Sequence, residues 1–217
     1  MLFIYTKSVR QYVDVKLKVL MLLIPLLVFS DQLWAKDYKL LILGDSLSAG
    51  YGLKQEQSWV SLLQDAWQDK PINVINAAIS GETTDGALAR LPRLLSQHQP
   101  THIFIELGGN DGLQGHPVAK IRRNLAKIIQ VSKASKAEVI LQKMQIPSNY
   151  GRRYTDMFSD SYTALAEEYH VPLLPFFLQD IALNKDLMQS DGIHPNAQAQ
   201  PLIAQSMQLQ LAPLIFD

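Results

Sequence analysis

From Tyr38 onward, short runs rich in Ile, Val and Leu alternate with longer segments of helical period, and this alternation restricts the fold more than any other feature of the chain. Runs of about five apolar residues suit strands buried on both faces, and strands separated by amphipathic helices form parallel sheets with a helical layer on each side. The expected architecture is a three-layer α/β/α sandwich around a flavodoxin-like parallel five-stranded sheet. Strands are expected at 39–43, 73–76, 102–107, Glu138–Gln142 and 172–175. Trp59, Leu62, Leu63, Ala66 and Trp67 recur at helical spacing, as do Val118, Ile121, Leu125, Ile128 and Ile129 in the segment that Pro117 opens. Further helices are expected at 155–169 and from 196 to about 211. These apolar stripes are read as core, without chemistry of their own.

The first residues follow different rules. Lys7, Arg10, Lys16 and Lys18 precede the apolar run 19–29, and Leu33-Trp34-Ala35 has the position of a signal-peptidase site. A bilayer span needs about 20 apolar residues; this run is shorter and contains Pro25. Residues 1–35 are therefore expected to be a cleaved secretory signal and 36–217 a single domain, periplasmic or secreted, with no stable membrane anchor after cleavage. The chain has no cysteine, which excludes disulfides and lipid attachment through an N-terminal Cys. Lys+Arg and Asp+Glu number 20 each, without basic clusters, so the charge pattern offers nothing to nucleic acid. A small-molecule partner and a monomeric state are expected; the family resemblance described below makes that partner a lipid-type acyl ester.

Ligands of open parallel sheets bind beyond the carboxyl ends of the strands, which gives weight to the residues there. After the first strand comes Gly44-Asp45-Ser46-Leu47-Ser48, in which glycine permits a tight turn presenting the Ser46 hydroxyl. The turn lacks a Gly-Lys-Ser/Thr ending and a complete GxGxxG, so phosphate binding is disfavoured. After the second strand, Gly81 can bring its backbone N–H to a ligand, while Ser80 or Thr83 can equally cap the next helix. After the third, Gly108-Gly109-Asn110-Asp111 offers a side-chain amide donor in Asn110, though asparagine also serves as a turn former. Near the other end, in Asp191-Gly192-Ile193-His194-Pro195, an acid stands three residues before a histidine, close enough to orient the imidazole. Asp45 and Asp111 remain rival orienting acids at this level. The five histidines show no metal-binding spacing, and neither metal nor cofactor is expected.

Taken in order, Gly-Asp-Ser-Leu-Ser, Gly81, Gly-Gly-Asn-Asp and Asp-Gly-Ile-His-Pro resemble the SGNH hydrolases, also called the GDSL family. The stretches 105–113, 146–154 and 171–177 extend the resemblance over essentially all of 36–217. It implies a serine hydrolase of acyl esters and thioesters, with Ser46 as nucleophile and Asp191 and His194 completing the triad. It further implies an oxyanion hole from the N–H groups of Ser46 and Gly81 and the amide of Asn110. A substrate-binding border is implied at Gly112, Leu113, Gln114, Gly115, His116 and Pro117, together with Ile146 and Pro147. A carbohydrate acetyl esterase of the cell envelope would use the same triad, and a non-catalytic acyl-binding protein could inherit the same fold.

Overall fold

The computed structural model describes residues 37–216; the expected leader and the cleavage point after Ala35 lie outside the described residues. Five strands, β1 (Tyr38–Gly44), β2 (Ile72–Asn76), β3 (His102–Glu106), β4 (Glu138–Gln142) and β5 (Leu173–Leu174), form one sheet in the order β2-β1-β3-β4-β5. Every pairing is parallel, which is the flavodoxin-like arrangement expected. The strands read as continuous apolar runs because both faces are covered: Leu40, Leu41, Ile42 and Leu43 are all fully buried, as are Ile103, Phe104 and Ile105 on the neighbouring strand. Each such aliphatic side chain contributes about 1.5–3 kcal/mol by leaving water.

The principal helices are α1 (Ser46–Ala49), α2 (Trp59–Ala66), α3 (Thr84–His98), α4 (Gly109–Leu113), α5 (Val118–Ala134), α6 (Arg152–Tyr169) and α7 (Gln200–Phe216). Helix α2 packs against α7, while α3, α5 and α6 pack in succession. The expected stripes face inward: Trp59 and Leu63 of α2 are fully buried, and so are Ile121, Leu125, Ile128 and Ile129 of α5. Ser58 caps α2 by accepting the Ser61 N–H at 3.3 Å, and Thr83 caps α3. A long-range tie joins α2 to α7, where the buried Gln200 Oε1 accepts the Trp59 N–H at 2.9 Å.

Element ends differ from the sequence expectation for physical reasons. Strand β5 is confined to Leu173–Leu174 because Pro172 and Pro175 have no N–H for the ladder. Helix α6 starts at Arg152, three residues earlier than expected, directly after Gly151 at φ +85. Helix α7 starts at Gln200 rather than 196, because the Asn196 side chain accepts the N–H groups of Gln198 and Ala199 and holds a turn there. At its far end α7 runs to Phe216, which packs edge-on against Tyr38 and Trp67. Among the described residues no helix is long and apolar enough to cross a membrane.

Candidate active site

The sheet order reverses between β1 and β3, and the loops leaving these two strands, with the loop leaving β2, meet at one edge. Asp45 follows β1 and caps α1, its Oδ1 accepting the Leu47 N–H at 3.1 Å. That turn sets Ser46 at the start of α1. Leaving β2, Gly81 adopts φ +79, a conformation natural to glycine. Leaving β3, Gly108 at φ +102 opens α4 and delivers Asn110. The Asn110 amide joins all three loops: Nδ2 donates to the Glu82 carbonyl at 3.0 Å and to Asp45 Oδ2 at 3.2 Å. Among the described residues, neither the Ser46 N–H nor the Gly81 N–H donates to another backbone group.

The turn before α7 completes the constellation. Nε2 of His194 lies 2.8 Å from Oγ of Ser46, and Nδ1 lies 2.7 Å from Oδ2 of Asp191. Asp191 Oδ1 also accepts the N–H groups of Ile193 at 2.9 Å and His194 at 3.0 Å, so one carboxylate shapes the turn and orients the ring. Slight burial pushes the Asp191 carboxyl up, but donation from the His194 backbone and ring and from Ile193 outweighs it and holds the group at about 2. The Tyr51 ring lies 4.4 Å from the imidazole, centroid to centroid. Gln189 anchors the same turn, its Nε2 donating to the carbonyls of Tyr51 and Pro195.

The two rival acids have other partners. Asp45 supports α1 and Asn110, as above. Asp111, fully buried, accepts the Thr84 N–H at 2.8 Å and the Thr84 hydroxyl at 2.6 Å, tying α4 to α3.

A cavity of about 380 Å³ is lined by Ser46, Asn110 and His194 together with Leu47, Leu113, Met144, Ile146, Pro147, Phe176, Leu178, Met188 and Ile193. Its wall is mostly apolar and includes the polar groups of Ser46, Asn110 and His194, a composition suited to an apolar chain that carries a reactive polar head. Of the border expected from sequence, Leu113, Ile146 and Pro147 line this cavity. Gly112 packs beneath it, where an added Cβ would meet Ile146 and Phe158. Gln114, Gly115 and Pro117 are exposed and lie outside the wall; His116 turns its Nδ1 to within 3.6 Å of Asp111 Oδ1. Sequence reasoning assigned no site role to four further lining residues, Phe176, Leu178, Ala182 and Met188. It also missed Glu106, a fully buried acid whose signal was a carboxylate directly after the apolar run Ile103-Phe104-Ile105. Among the described residues no group of three or more His, Asp or Glu side chains could hold a metal ion.

A flavodoxin-like sheet that carries a serine, a histidine and an aspartate in hydrogen-bonded sequence at its switch point is the architecture of a serine hydrolase. The chain belongs to the GDSL-like Lipase/Acylhydrolase family, which it matches over residues 42–201, and is an ester-bond hydrolase of that type. It is 53% identical over 176 residues to the Thioesterase 1/protease 1/lysophospholipase L1 of Escherichia coli strain K12, covering 81% of this chain and 84% of that protein. An arylesterase of Vibrio mimicus is 50% identical over 175 residues, covering 80% of this chain and 88% of the relative. Among solved structures, the psychrotrophic esterase EstA from Pseudoalteromonas sp., inhibited by monoethylphosphonate, superposes with a TM-score of 0.81 at 50% identity, covering 82% of this chain and 98% of that one.

Proposed function

We propose that this esterase hydrolyses carboxylic esters and thioesters of lipid-type acyl chains through an acyl-enzyme on Ser46. The observation that carries the reading is the Asp191–His194–Ser46 relay, at 2.7 and 2.8 Å, whose serine and histidine line a mostly apolar cavity. A serine hydroxyl is a weak nucleophile until a base within hydrogen-bond reach takes its proton. As Oγ attacks the acyl carbon, its proton passes to Nε2 of His194, and Asp191 stabilises the imidazolium while fixing its tautomer. The carbonyl oxygen becomes an oxyanion that takes the Ser46 and Gly81 N–H groups as donors, together with the Asn110 amide, which shares with it the N–H that rests on the Glu82 carbonyl. His194 then gives the proton to the departing alcohol or thiol. Water, deprotonated by the same imidazole, attacks the acyl carbon and releases the acid and Ser46.

The apolar wall of Leu113, Met144, Ile146, Phe176 and Leu178 supports an aliphatic acyl group over an acetyl group on a sugar, for which such a wall would be surplus. Relatives named as thioesterase, lysophospholipase and arylesterase support the same breadth. The basic-then-apolar leader 1–35 supports export and cleavage, leaving 36–217 in the periplasm or outside the cell.

The test is a panel of acyl-CoA, lysophospholipid, aryl ester and acetylated sugar substrates on purified protein. Turnover rising with acyl length sustains the proposal; turnover confined to acetylated sugar replaces it with the carbohydrate esterase. A folded protein that a fluorophosphonate does not label at Ser46 replaces it with an acyl-binding module. N-terminal sequencing of protein from the periplasmic fraction, expected to start at Lys36, tests the export reading.

A further inference from the structure

Below the turn that carries Ser46 sits a buried acid for which the hydrolytic steps have no use. Glu106 ends β3, stands opposite Gly44 in the parallel register and is 0% exposed. Its Oε2 accepts the Ser48 hydroxyl at 2.8 Å and the Asp45 N–H at 3.2 Å. Room for this exists because Gly44 has no side chain: a Cβ there would lie 2.8 Å from Oε2. No N–H or O–H of the described residues reaches the other oxygen, Oε1, and the carboxyl group beside Glu106 is that of Asp45. Two carboxylates in contact in a dry interior cannot both stay ionised. A proton on Oε1 turns the contact into a hydrogen bond in which Glu106 donates and Asp45 accepts. The ionised Asp45 then uses Oδ1 for the Leu47 N–H and Oδ2 for the Asn110 amide.

We propose that Glu106 is a positioning residue that works as a neutral acid, its proton holding Asp45, which in turn holds Asn110 and the Ser46 turn toward the reacting carbonyl. The inference rests on the reading above, in which the Asn110 amide meets the oxyanion. Burial, then the charge of Asp45, pushes Glu106 well above the ordinary carboxylate range. Burial also raises Asp45, to about 6, against the pull of the bonds it receives from Leu47 and Glu106. The titratable groups around the pair are Tyr162 of α6, whose buried hydroxyl donates to the Leu107 carbonyl, Asp111 of α4 and His194 of the last turn. Of these only the imidazole can be cationic, and it is committed to Ser46 and Asp191.

The experiment compares kcat and KM of wild type, Glu106→Gln, Glu106→Leu, Asn110→Ala and the double variant Glu106→Leu/Asn110→Ala on an aryl ester, from neutral to alkaline pH, with melting curves for each. A glutamine reproduces the neutral acid, accepting from Ser48 and Asp45 through its oxygen and donating to the Asp45 carboxylate through its nitrogen. It is expected to keep kcat within about threefold of wild type and to lack an alkaline limb that wild type shows when Glu106 ionises. Glu106→Leu is expected to lower kcat roughly 10- to 100-fold with little change in KM. Most of that loss should vanish in the Asn110→Ala background, since the two residues act through one bond network. Wild-type kcat in Glu106→Leu, a fall in Glu106→Gln equal to that of Glu106→Leu, or full multiplication of the losses in the double variant overturns the inference. Should Glu106→Leu not fold, the Glu106→Gln pH profile decides, and an alkaline limb coincident with wild type overturns it. If Asn110→Ala itself keeps full kcat, the reading of the oxyanion site fails instead.

Discussion

Ser46 and His194 are 148 residues apart in the chain, yet Oγ and Nε2 stand 2.8 Å from one another. Two independent anchors produce the meeting. On one side the Asp45 cap fixes the start of α1; on the other, Asp191 and Gln189 hold the last turn by bonds to its own backbone and to the Tyr51 carbonyl. A pair aligned by the fold in this way should lose its chemistry, and little else, when one partner is removed.

Ser46→Ala is therefore expected to melt within a few degrees of the parent while kcat on a p-nitrophenyl ester falls on the order of 10³-fold or more. Single-turnover and steady-state assays on the purified variant check this. Near-normal turnover would assign the nucleophile elsewhere.

Asp191 adds a pH dependence of known sign. Its carboxyl is held at about 2 against an ordinary 3.8, so the folded state favours the ionised form. The stability this supplies is whole above pH 3.8 and fades as pH falls from 3.8 toward 2. Because the group is partly exposed, solvent screens the effect and the gain is modest. Asp191→Asn should thus have a lower urea midpoint than the parent at neutral pH, with the gap closing as pH approaches 2. Its kcat should drop on the order of 10³- to 10⁴-fold, because an amide no longer stabilises the imidazolium or selects the right tautomer. A gap in midpoint that stays constant with pH would show that Asp191 has no charge-dependent role in the fold.

What the sequence discloses of this site is what local spacing can encode. Asp191 and His194 are three residues apart in one turn, and Ser46 and Asn110 follow strands whose apolar runs are unmistakable, so their convergence follows from the sheet rule alone. Glu106 escapes such reading because its meaning depends on register: only the pairing of β3 with β1 sets it opposite Gly44 and under Asp45. The cavity wall from Phe176 to Met188 is hidden for a related reason, since apolar residues in an irregular segment look the same whether they fill a core or face a substrate. Strand and helix positions are legible from periodicity, while their ends depend on prolines, caps and aromatic contacts such as those of Phe216.

Gly108 is irreplaceable for two separable reasons. It holds φ +102, and an added Cβ would collide with the Tyr162 hydroxyl oxygen. Gly108→Ala is expected to lose at least about 2 kcal/mol. Adding Tyr162→Phe removes the colliding oxygen but leaves the backbone strain, so the double variant should recover only part of the loss. Chemical denaturation of both variants and of Tyr162→Phe alone completes the cycle; full recovery would mean that the backbone conformation carries no cost.

Gly44 gives the corresponding test inside the family signature. The sequence suggests a glycine chosen for a tight turn, but Gly44 is the last residue of β1 and is not among the residues with positive φ. What it supplies is space: a Cβ would lie 2.8 Å from Glu106 Oε2 and 2.9 Å from Ser48 Cβ, and neither neighbour can move without disturbing the Asp45 network. Gly44→Ala should cost about 1–3 kcal/mol by overpacking and lower kcat together with stability. Glu106→Gln in the same background should not restore it, since an amide is no smaller than the acid. Gly44→Ala with unchanged melting and kcat would mean that the floor beneath Ser46 yields to one extra methyl group, and that the rigidity ascribed to it is absent.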